Sequence, residues 1–475
     1  MRVLVTGATG LIGKEIGKLL VESGHELVVV SRNPAKARLD LPFPAEIFAW
    51  QGESEQFPKA ALQGVEGVIH LAGESVASGR WTPERKKSIR DSRVMGTRRL
   101  VEAISQLGNS DHPLKTFISG SAIGIYGDRG DEILTEDSAP GGDFLSHVTR
   151  DWEGEADALT RNSKTKHIRV AKIRTSVVIS RHGGALEKML PVFSRGLGGK
   201  LGSGQQWMSW IHLEDIARLF VFALETENVS GALNGAAPEP ARNERFTVAL
   251  ARALGRSVFL PVPDAALKVA LGEMSEAVLG SQRVSAAYVQ ELGFQFRHPE
   301  LVPALEEICA PLKQSQHELL AEQWVPKTPH EIFPYFCSEK NLEELTPPFL
   351  NFKVIGKSTP EIKEGTLIDY RLGLYGMGVK WRTLIETWKP SGSFVDIQLK
   401  GPYRRWHHTH EFIPMGGGTL LRDRVVYQLP LGIFGDLAAG WKVTGDVNAI
   451  FAYRRKKINE LFGSLPAPSA EGHHA

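Results

Sequence analysis

Along the first third of the chain, short apolar runs alternate with longer amphipathic stretches. Arg2 to Thr6, Glu26 to Ser31, Gly67 to Ala72, Thr116 to Ser119 and Ile168 to Arg174 read as strands. Lys14 to Ser23 repeats Ile16, Leu19 and Leu20 at helical spacing, and Gly24 supplies a stop. Strand alternating with helix predicts a parallel sheet covered by helices, with a core over residues 1–175. Beyond Arg174 the pattern loosens into Gly-rich loops at Gly196 to Gly204 and helices near Glu214 to Glu225 and Asn243 to Leu254. This stretch, 176–310, reads as a small α/β substrate lobe packed on the core.

The texture changes between Cys309 and Gln316. From His317 the pattern predicts one strand, a helical stretch from Pro329 to Leu345, and then strands with polar and apolar positions alternating. Lys389-Pro390-Ser391-Gly392 and Met415 to Gly418 read as turns, and Asn448 to Phe462 as a closing amphipathic helix. Residues 317–463 are therefore expected to form an α+β domain. The tail 464–475, with Pro466 and Pro468, is expected to be disordered.

Composition narrows the choices. The 475 residues exceed what one hydrophobic core covers, which agrees with more than one domain. Lys and Arg total 56 against 54 Asp and Glu, a net charge of +2, so no long-range field gathers nucleic acid or an anionic membrane. Cys309 and Cys337 are too few for a disulfide framework and show no metal-ligand spacing, which fits a reducing compartment. The first apolar run is a short strand ending in glycine, and no later run reaches the roughly 18 apolar residues of a membrane span. The expectation is a cytoplasmic protein with no nucleic-acid partner and no membrane span.

The candidate chemistry starts at Gly7, Gly10 and Gly13, a G-x-x-G-x-x-G directly after a strand and before a helix. The first glycine permits the tight turn, the second lets backbone approach a pyrophosphate, and the third allows close helix-strand packing. With Thr9, Leu11 and Ile12 between them, they open a helix whose free N–H groups and dipole favour phosphate. The first domain is thus read as a Rossmann dinucleotide-binding domain. NAD enzymes place an acidic residue at the end of the second strand, whereas this chain has Ser31-Arg32-Asn33 there. Arg32 suits a 2′-phosphate, with Ser31 and Asn33 as further donors, so NADP(H) is expected over NAD(H).

With TGATGLIG, His70-Leu71-Ala72-Gly73 and SAIGIYG (Ser121 to Gly127), the chain resembles the extended short-chain dehydrogenase/reductase superfamily. It is most similar to the atypical, NAD-dependent epimerase/dehydratase-like branch. That branch is suggested by GESVASGRWTPERKKSIRDSRVMGTRRL (Gly73 to Leu100), Asp151-Trp152-Glu153 and GLGGKLGSGQQWMSWIHLEDIA (Gly196 to Ala217). Its short C-terminal domain of unknown function is matched by RNERFTVALARALGR and RVSAAYVQELGFQFRHPEL, so the resemblance covers residues 1–310. It implies that Leu71, Ala72 and Gly73 line the cofactor, with Glu74 at the rim.

The superfamily's reductases and epimerases use a Tyr-x-x-x-Lys pair for proton transfer. Here Phe144 to Glu153 contains neither residue, and Leu145 and Thr149 stand at the corresponding positions. The catalytic candidates that remain are Ser121, where a substrate-polarising Ser is expected, and Tyr126, an acid-base group or a packing residue beside the site. Ser119 lines the cofactor or replaces Ser121. Arg80 and Arg93 are candidates for an anionic substrate, although Arg93 is equally able to pair with Glu74 or Asp91.

The second domain resembles the START-like, helix-grip superfamily of polyketide cyclase/dehydrase and lipid-transport domains. The carriers are WVPKTPHEIFPYFCSEKNLEELTPP, GPYRRWHHTHEFIPMGGGTLLRDRVVYQLPLG and FAYRRKKINELF. The resemblance implies a sheet curled about the long helix and an apolar cavity for an unspecified ligand. Tyr370, Trp381, Trp388, Trp406, Phe412 and Tyr427 supply candidates for its wall. Alternation places His408 and His410 on one face and His407 opposite, without a third ligand in the pattern, so no metal is expected. Arg454 to Lys457 reads as a solvated helix face.

Two functions fit these residues. One is an NADP(H)-binding oxidoreductase or epimerase acting on a small molecule and fused to a hydrophobic-ligand domain. The other is a non-catalytic NADP(H) sensor or scaffold, which the missing Tyr-x-x-x-Lys pair favours.

Overall fold

The computed structural model describes residues 1–107, 113–258, 261–313, 316–374 and 377–463, so the expected tail at 464–475 lies outside the described residues. The chain divides into two units, one of Met1–Pro34 with Ala45–Ala310 and one of Ala35–Pro44 with the chain from Pro311 onward.

In the first unit, β1 (Arg2–Thr6), β2 (Glu26–Ser31), β3 (Glu46–Ala49), β4 (Gly67–His70), β5 (Thr116–Ala122), β6 (Arg169–Thr175) and β7 (Gly231–Gly235) form one sheet. Its order is β7-β6-β5-β4-β1-β2-β3, and every pairing is parallel. Val3, Leu4, Val5, Val28, Val29, Val68, Ile69, Phe117 and Ile118 are all fully buried, as strands covered by helices on both faces require. The edge strands β3 and β7 escape a reading of apolar runs because they are short and interrupted by polar residues or glycine. After β3 the chain returns to the other side of β1, so the C-terminal ends of β1 and β4 flank a topological switch point, where such sheets bind ligands.

Strand β4 stops at His70, two residues before the expected Ala72. The N–H groups of Leu71 and Ala72 both donate to Thr6 Oγ1 at 3.1 Å. An oxygen accepting two N–H bonds turns its own hydrogen outward, toward His70 Nδ1 at 2.8 Å. The imidazole proton therefore sits on Nε2 and faces Thr97 Oγ1 at 2.9 Å, while that hydroxyl donates to Arg93 O at 2.6 Å. The chain of bonds holds His70 neutral, and burial depresses its pKa to about 4.

The second unit contains β8 (Gln316–Val325), β9 (Lys353–Lys357), β10 (Leu367–Leu374), β11 (Met377–Lys389), β12 (Ser393–Lys400), β13 (Arg405–Met415) and β14 (Gly418–Gln428). They form a seven-stranded antiparallel sheet in the order β8-β14-β13-β12-β11-β10-β9. The expected helix over Pro329 to Leu345 is two helices, Pro329–Phe336 and Glu339–Glu344. The first is fixed by a capping box between Thr328 and Glu331. The terminal helix runs from Ile433 to Phe462, fifteen residues longer at its start than expected. Gly435, Gly440 and Gly445, with Phe434, Leu437 and Trp441 exposed, hide its periodicity. Arg454 on this helix is buried against Asp423, which corrects its reading as part of a solvated face. Among the described residues, no helix is long and apolar enough to cross a membrane.

Because the folded state holds His70 near 4 and an unfolded chain near 6.5, the unfolded state takes up the extra proton first as pH falls. Stability from this group is complete above pH 6.5, falls by about 2 kcal/mol by pH 5, and levels off below pH 4. Unfolding of the first unit at pH 7.5 and pH 5, compared between wild type and His70→Gln, measures this. The variant is expected to lose about 2 kcal/mol less than wild type over that interval; equal losses would contradict the neutral-imidazole assignment.

Candidate functional site

The loop between β1 and the first helix, α1 (Leu11–Glu22), is shaped by backbone contacts that leave no room for side chains. Gly7 sits at φ +72°, and a Cβ there would lie 2.9 Å from Leu71 C and 3.0 Å from Ala72 N. A Cβ on Gly13 would lie 2.3 Å from Gly7 O and 2.7 Å from Ala8 Cα. Gly10 is the N-cap of α1, donating to Gly7 O at 3.0 Å, and no side chain caps the first turn. The first turn also carries no acidic residue, so the positive end of the helix is open to an anion. An uncapped, glycine-lined helix start at the switch point fits a dinucleotide pyrophosphate, with N–H groups of Leu11, Ile12 and Gly13 beside Thr9 as donors.

Around this loop the expected cofactor residues fall at the ends of β2 and β4 and within β5. Ser31 closes β2, its hydroxyl accepting from Asn33 N at 3.2 Å. Arg32 follows with its side chain 73% exposed, paired to Glu74 Oε1 at 3.0 Å. Leu71, Ala72 and Gly73 extend from β4, and Ser119 on β5 is buried with its hydroxyl donating to Gly120 O at 2.9 Å. Glu74 also meets Arg85 at 3.3 Å. Partial burial pushes the Glu74 carboxyl upward, but Arg32 first and Arg85 second outweigh it and leave the pKa below the ordinary value.

Arg93, on α2 (Pro83–Ser105), lies under this rim rather than in open space. Its Nη1 donates to Glu74 O at 2.9 Å and to Ile89 O at 3.0 Å, and its guanidinium lies 5.4 Å from the Trp152 ring. Desolvation pushes its pKa down to about 10, against the raising charge of Glu74. Of the alternatives left open for Arg93, the structure shows contact with Glu74, through its backbone carbonyl. Arg80 donates instead to the backbone of Val269 and Ala270.

The catalytic candidates fall in a different environment. Ser121 Oγ donates to Glu153 Oε1 at 2.6 Å, and Arg174 clamps the same carboxylate through Nε at 2.9 Å and Nη2 at 3.0 Å. Tyr126 is fully buried, donating to Asn234 Oδ1 at 2.6 Å and accepting from Arg174 Nη1 at 2.9 Å. Burial raises its pKa further, only partly offset by Arg174. Ser121, Tyr126, Glu153, Arg174 and Asn234 thus form one buried polar network joining β5, β6, β7 and α3 (Phe144–Ala156). At the Tyr-x-x-x-Lys positions, a Cβ on Gly124 would lie 3.3 Å from Leu145 Cβ and 4.0 Å from Thr149 Oγ1, so α3 presents these two residues to the turn after β5. Thr6, His70, Arg174 and Asn234 were not among the sequence candidates, because each acts through a partner far away in sequence.

In the second unit a cavity of about 200 Å³ is walled by Phe336, Leu350, Tyr370, Trp381, Trp388 and Trp406. Asp396, His408, His410 and Arg454 line its polar part. Asp396 is a carboxylate neighbour of the two histidines that the sequence pattern did not supply.

The chain matches the NAD dependent epimerase/dehydratase family over residues 3–234 and a domain of unknown function, DUF1731, over residues 262–308. The chloroplastic Epimerase family protein SDR39U1 homolog of Arabidopsis thaliana is 40% identical over 311 residues, spanning 65% of this chain and 86% of that protein. The human Epimerase family protein SDR39U1 is 36% identical over 315 residues, spanning 65% of this chain and all of that one. The crystal structure of human SDR39U1 isoform 2 with NADPH superposes with a TM-score of 0.58 at 33% identity, over 65% of this chain and 99% of that one. MoeE5 with UDP-glucuronic acid and NAD, at 21% identity and a TM-score of 0.52, shares the fold over 65% of this chain and 99% of its own.

Removing Glu153 leaves the Arg174 guanidinium buried without its carboxylate. Glu153→Ala is expected to destabilise the first unit by about 3–5 kcal/mol in denaturant unfolding. A loss under about 1 kcal/mol, the range of exposed pairs, would show that the network is open to water.

Proposed function

Because the chain belongs to the NAD dependent epimerase/dehydratase family, we propose that its first unit is an NADP(H)-binding, oxidoreductase- or epimerase-like module and its second a START-like helix-grip domain for an apolar ligand. The observation that carries the cofactor choice is the end of β2. There the exposed Arg32 stands where an NAD site needs a carboxylate, with the Ser31 hydroxyl beside it. Arg32 binds the 2′-phosphate, exchanging its contact with Glu74 for a doubly charged partner. The glycine loop and first turn of α1 hold the pyrophosphate, and the backbone of Leu71 to Gly73, fixed by Thr6 and Arg93, supports the ribose nearer the reacting end. NADPH in the human relative's structure supports the same choice. Once bound, the cofactor supplies hydride transfer to or from a carbon of the substrate.

The second unit is read as helix-grip from its order of elements: one strand, two short helices, six further antiparallel strands, then a long helix beside an aromatic-walled cavity. A non-catalytic, NADP(H)-sensing scaffold remains the second reading, favoured by Leu145 and Thr149 at the proton-transfer positions and by the buried, fully engaged Tyr126 hydroxyl. NADPH oxidation with any carbonyl substrate would remove this reading. Nucleotide-dependent change in hydrodynamic radius without turnover would support it.

Replacing Arg32 tests the cofactor assignment. A charged hydrogen bond contributes about 1.5–3 kcal/mol, so Arg32→Asp should weaken NADPH binding by about ten- to hundredfold while changing NADH binding less than about threefold. Fluorescence titration of both nucleotides measures this, and equal losses would overturn the NADP(H) assignment.

A further inference from the structure

Strand register in the second unit assembles a cluster that hydride chemistry in the first unit does not use. Asp396 on β12 lies opposite His408 on β13, and His410 lies opposite Asp423 on β14. His408 and His410 share one face of β13, with ring centroids 3.7 Å apart. Both rings and Asp423 are buried.

Distances set the arrangement of the cluster. Asp423 Oδ1 lies 3.1 Å from His408 Nε2 and 2.7 Å from His410 Nδ1. His408 Nε2 is hydrogen-bonded to that carboxylate oxygen, and His410 Nδ1 lies against it. Arg454 Nε donates to the other oxygen of Asp423 at 3.1 Å and holds it in place. Arg454 Nη2 also lies 3.4 Å from both His410 Nδ1 and Asp423 Oδ1. That leaves His408 Nδ1 and His410 Nε2 as the second nitrogen of each ring. Both face Asp396 Oδ2, at 3.4 Å and 2.9 Å. One ligand atom from each of the three residues lies within 4.8 Å of the others. Two imidazole nitrogens and a carboxylate oxygen thus converge at the cavity wall.

We propose that Asp396, His408 and His410 bind a divalent transition-metal ion of the zinc or iron(II) class, with Asp423 and Arg454 as positioning residues. Two imidazoles and a carboxylate are a ligand set those ions accept. A carboxylate accepting the opposite N–H of each ligand histidine is the arrangement that fixes tautomer and raises ligand basicity. Three protein ligands leave coordination positions open, and all three residues line the aromatic-walled cavity. The ligand class that follows is an apolar molecule with a carbonyl, hydroxyl or carboxylate oxygen at one end, the oxygen meeting the ion and the remainder packing on Trp381, Trp388 and Trp406. This extends the reading of the second unit as a ligand cavity and is independent of the cofactor assignment in the first. Metal binding is measured without organic ligand, so the failure of either leaves the other standing.

A second group, His212, Glu214 and His298, also brings ligand atoms within 4.8 Å of one another and serves as the control. There His212 Nδ1 accepts from Glu214 N at 3.2 Å as a helix cap, while His298 pairs with Glu214 at 3.1 Å and Glu307 at 3.4 Å.

The test strips the full-length protein with EDTA, dialyses it and titrates it with Co²⁺ as an optical probe, followed by Zn²⁺. The expected result is about one equivalent of Co²⁺ giving visible d–d bands that Zn²⁺ abolishes. His408→Ala and Asp396→Asn should each weaken binding at least about tenfold, and Asp423→Asn about tenfold, with His298→Ala leaving the titration unchanged. Absence of saturable binding in wild type, retention of binding in the His408→Ala/His410→Ala double variant, or loss in His298→Ala would overturn the proposal. If the variants of the second unit do not fold, X-ray absorption on Co²⁺-loaded His298→Ala decides, because that variant lacks the other two-histidine group. A shell with two imidazole nitrogens supports the site, and an all-oxygen shell overturns it.

Discussion

The first unit depends on how closely the backbone after β1 approaches the backbone after β4. Gly7 packs against the Leu71–Ala72 peptide with no space for a Cβ, and Thr6 beside it accepts both N–H groups of that segment. The same hydroxyl is the anchor for the neutral His70 imidazole, which continues through Thr97 to the backbone of Arg93. Arg93 in turn supports the carbonyl of Glu74, whose carboxylate meets the exposed Arg32. One line of contacts therefore runs from the glycine loop, through the ends of β1 and β4, to the strand end where the cofactor choice is proposed to be made. The residues involved are buried where rigidity is needed and exposed only at Arg32.

The two units solve the problem of buried charge in different ways. In the first, the Glu153 carboxylate receives Ser121 and two guanidinium nitrogens, so every strong group has a complementary partner and the network is closed. In the second, Asp423 is supplied by His408 and Arg454, while Asp396 and the far nitrogens of the two rings converge at a cavity wall. Closed networks fix a fold, whereas ligand-type atoms gathered at a cavity wall leave room for an additional cation.

How much of this could be read from sequence depended on whether the constraint was local. Gly7, Gly10, Gly13 and Arg32 were legible because turn geometry and strand-end position impose residue types within a short window. Thr6 with His70, 64 positions apart, left no such trace, since a hydroxyl and an imidazole at strand ends have many uses. Asp396 was missed for a related reason: alternation along β13 gives the two histidines, but only register with β12 supplies the third group. The start of the terminal helix at Ile433 was hidden by glycines and exposed aromatics, which weaken both propensity and periodicity. The family resemblance put Ser121 and Tyr126 forward as candidates, and the structure ties both hydroxyls into the buried network of Glu153, Arg174 and Asn234.

The most direct test of the close-approach constraint is the NADPH affinity of Gly13→Ala, measured by calorimetry on protein whose circular dichroism matches wild type. A Cβ at that position would lie 2.3 Å from Gly7 O, so the loop must shift and the phosphate cradle with it. The predicted result is a loss of at least about tenfold, the size of one charged hydrogen bond. Unchanged affinity would contradict the claim that this backbone packing creates the nucleotide site.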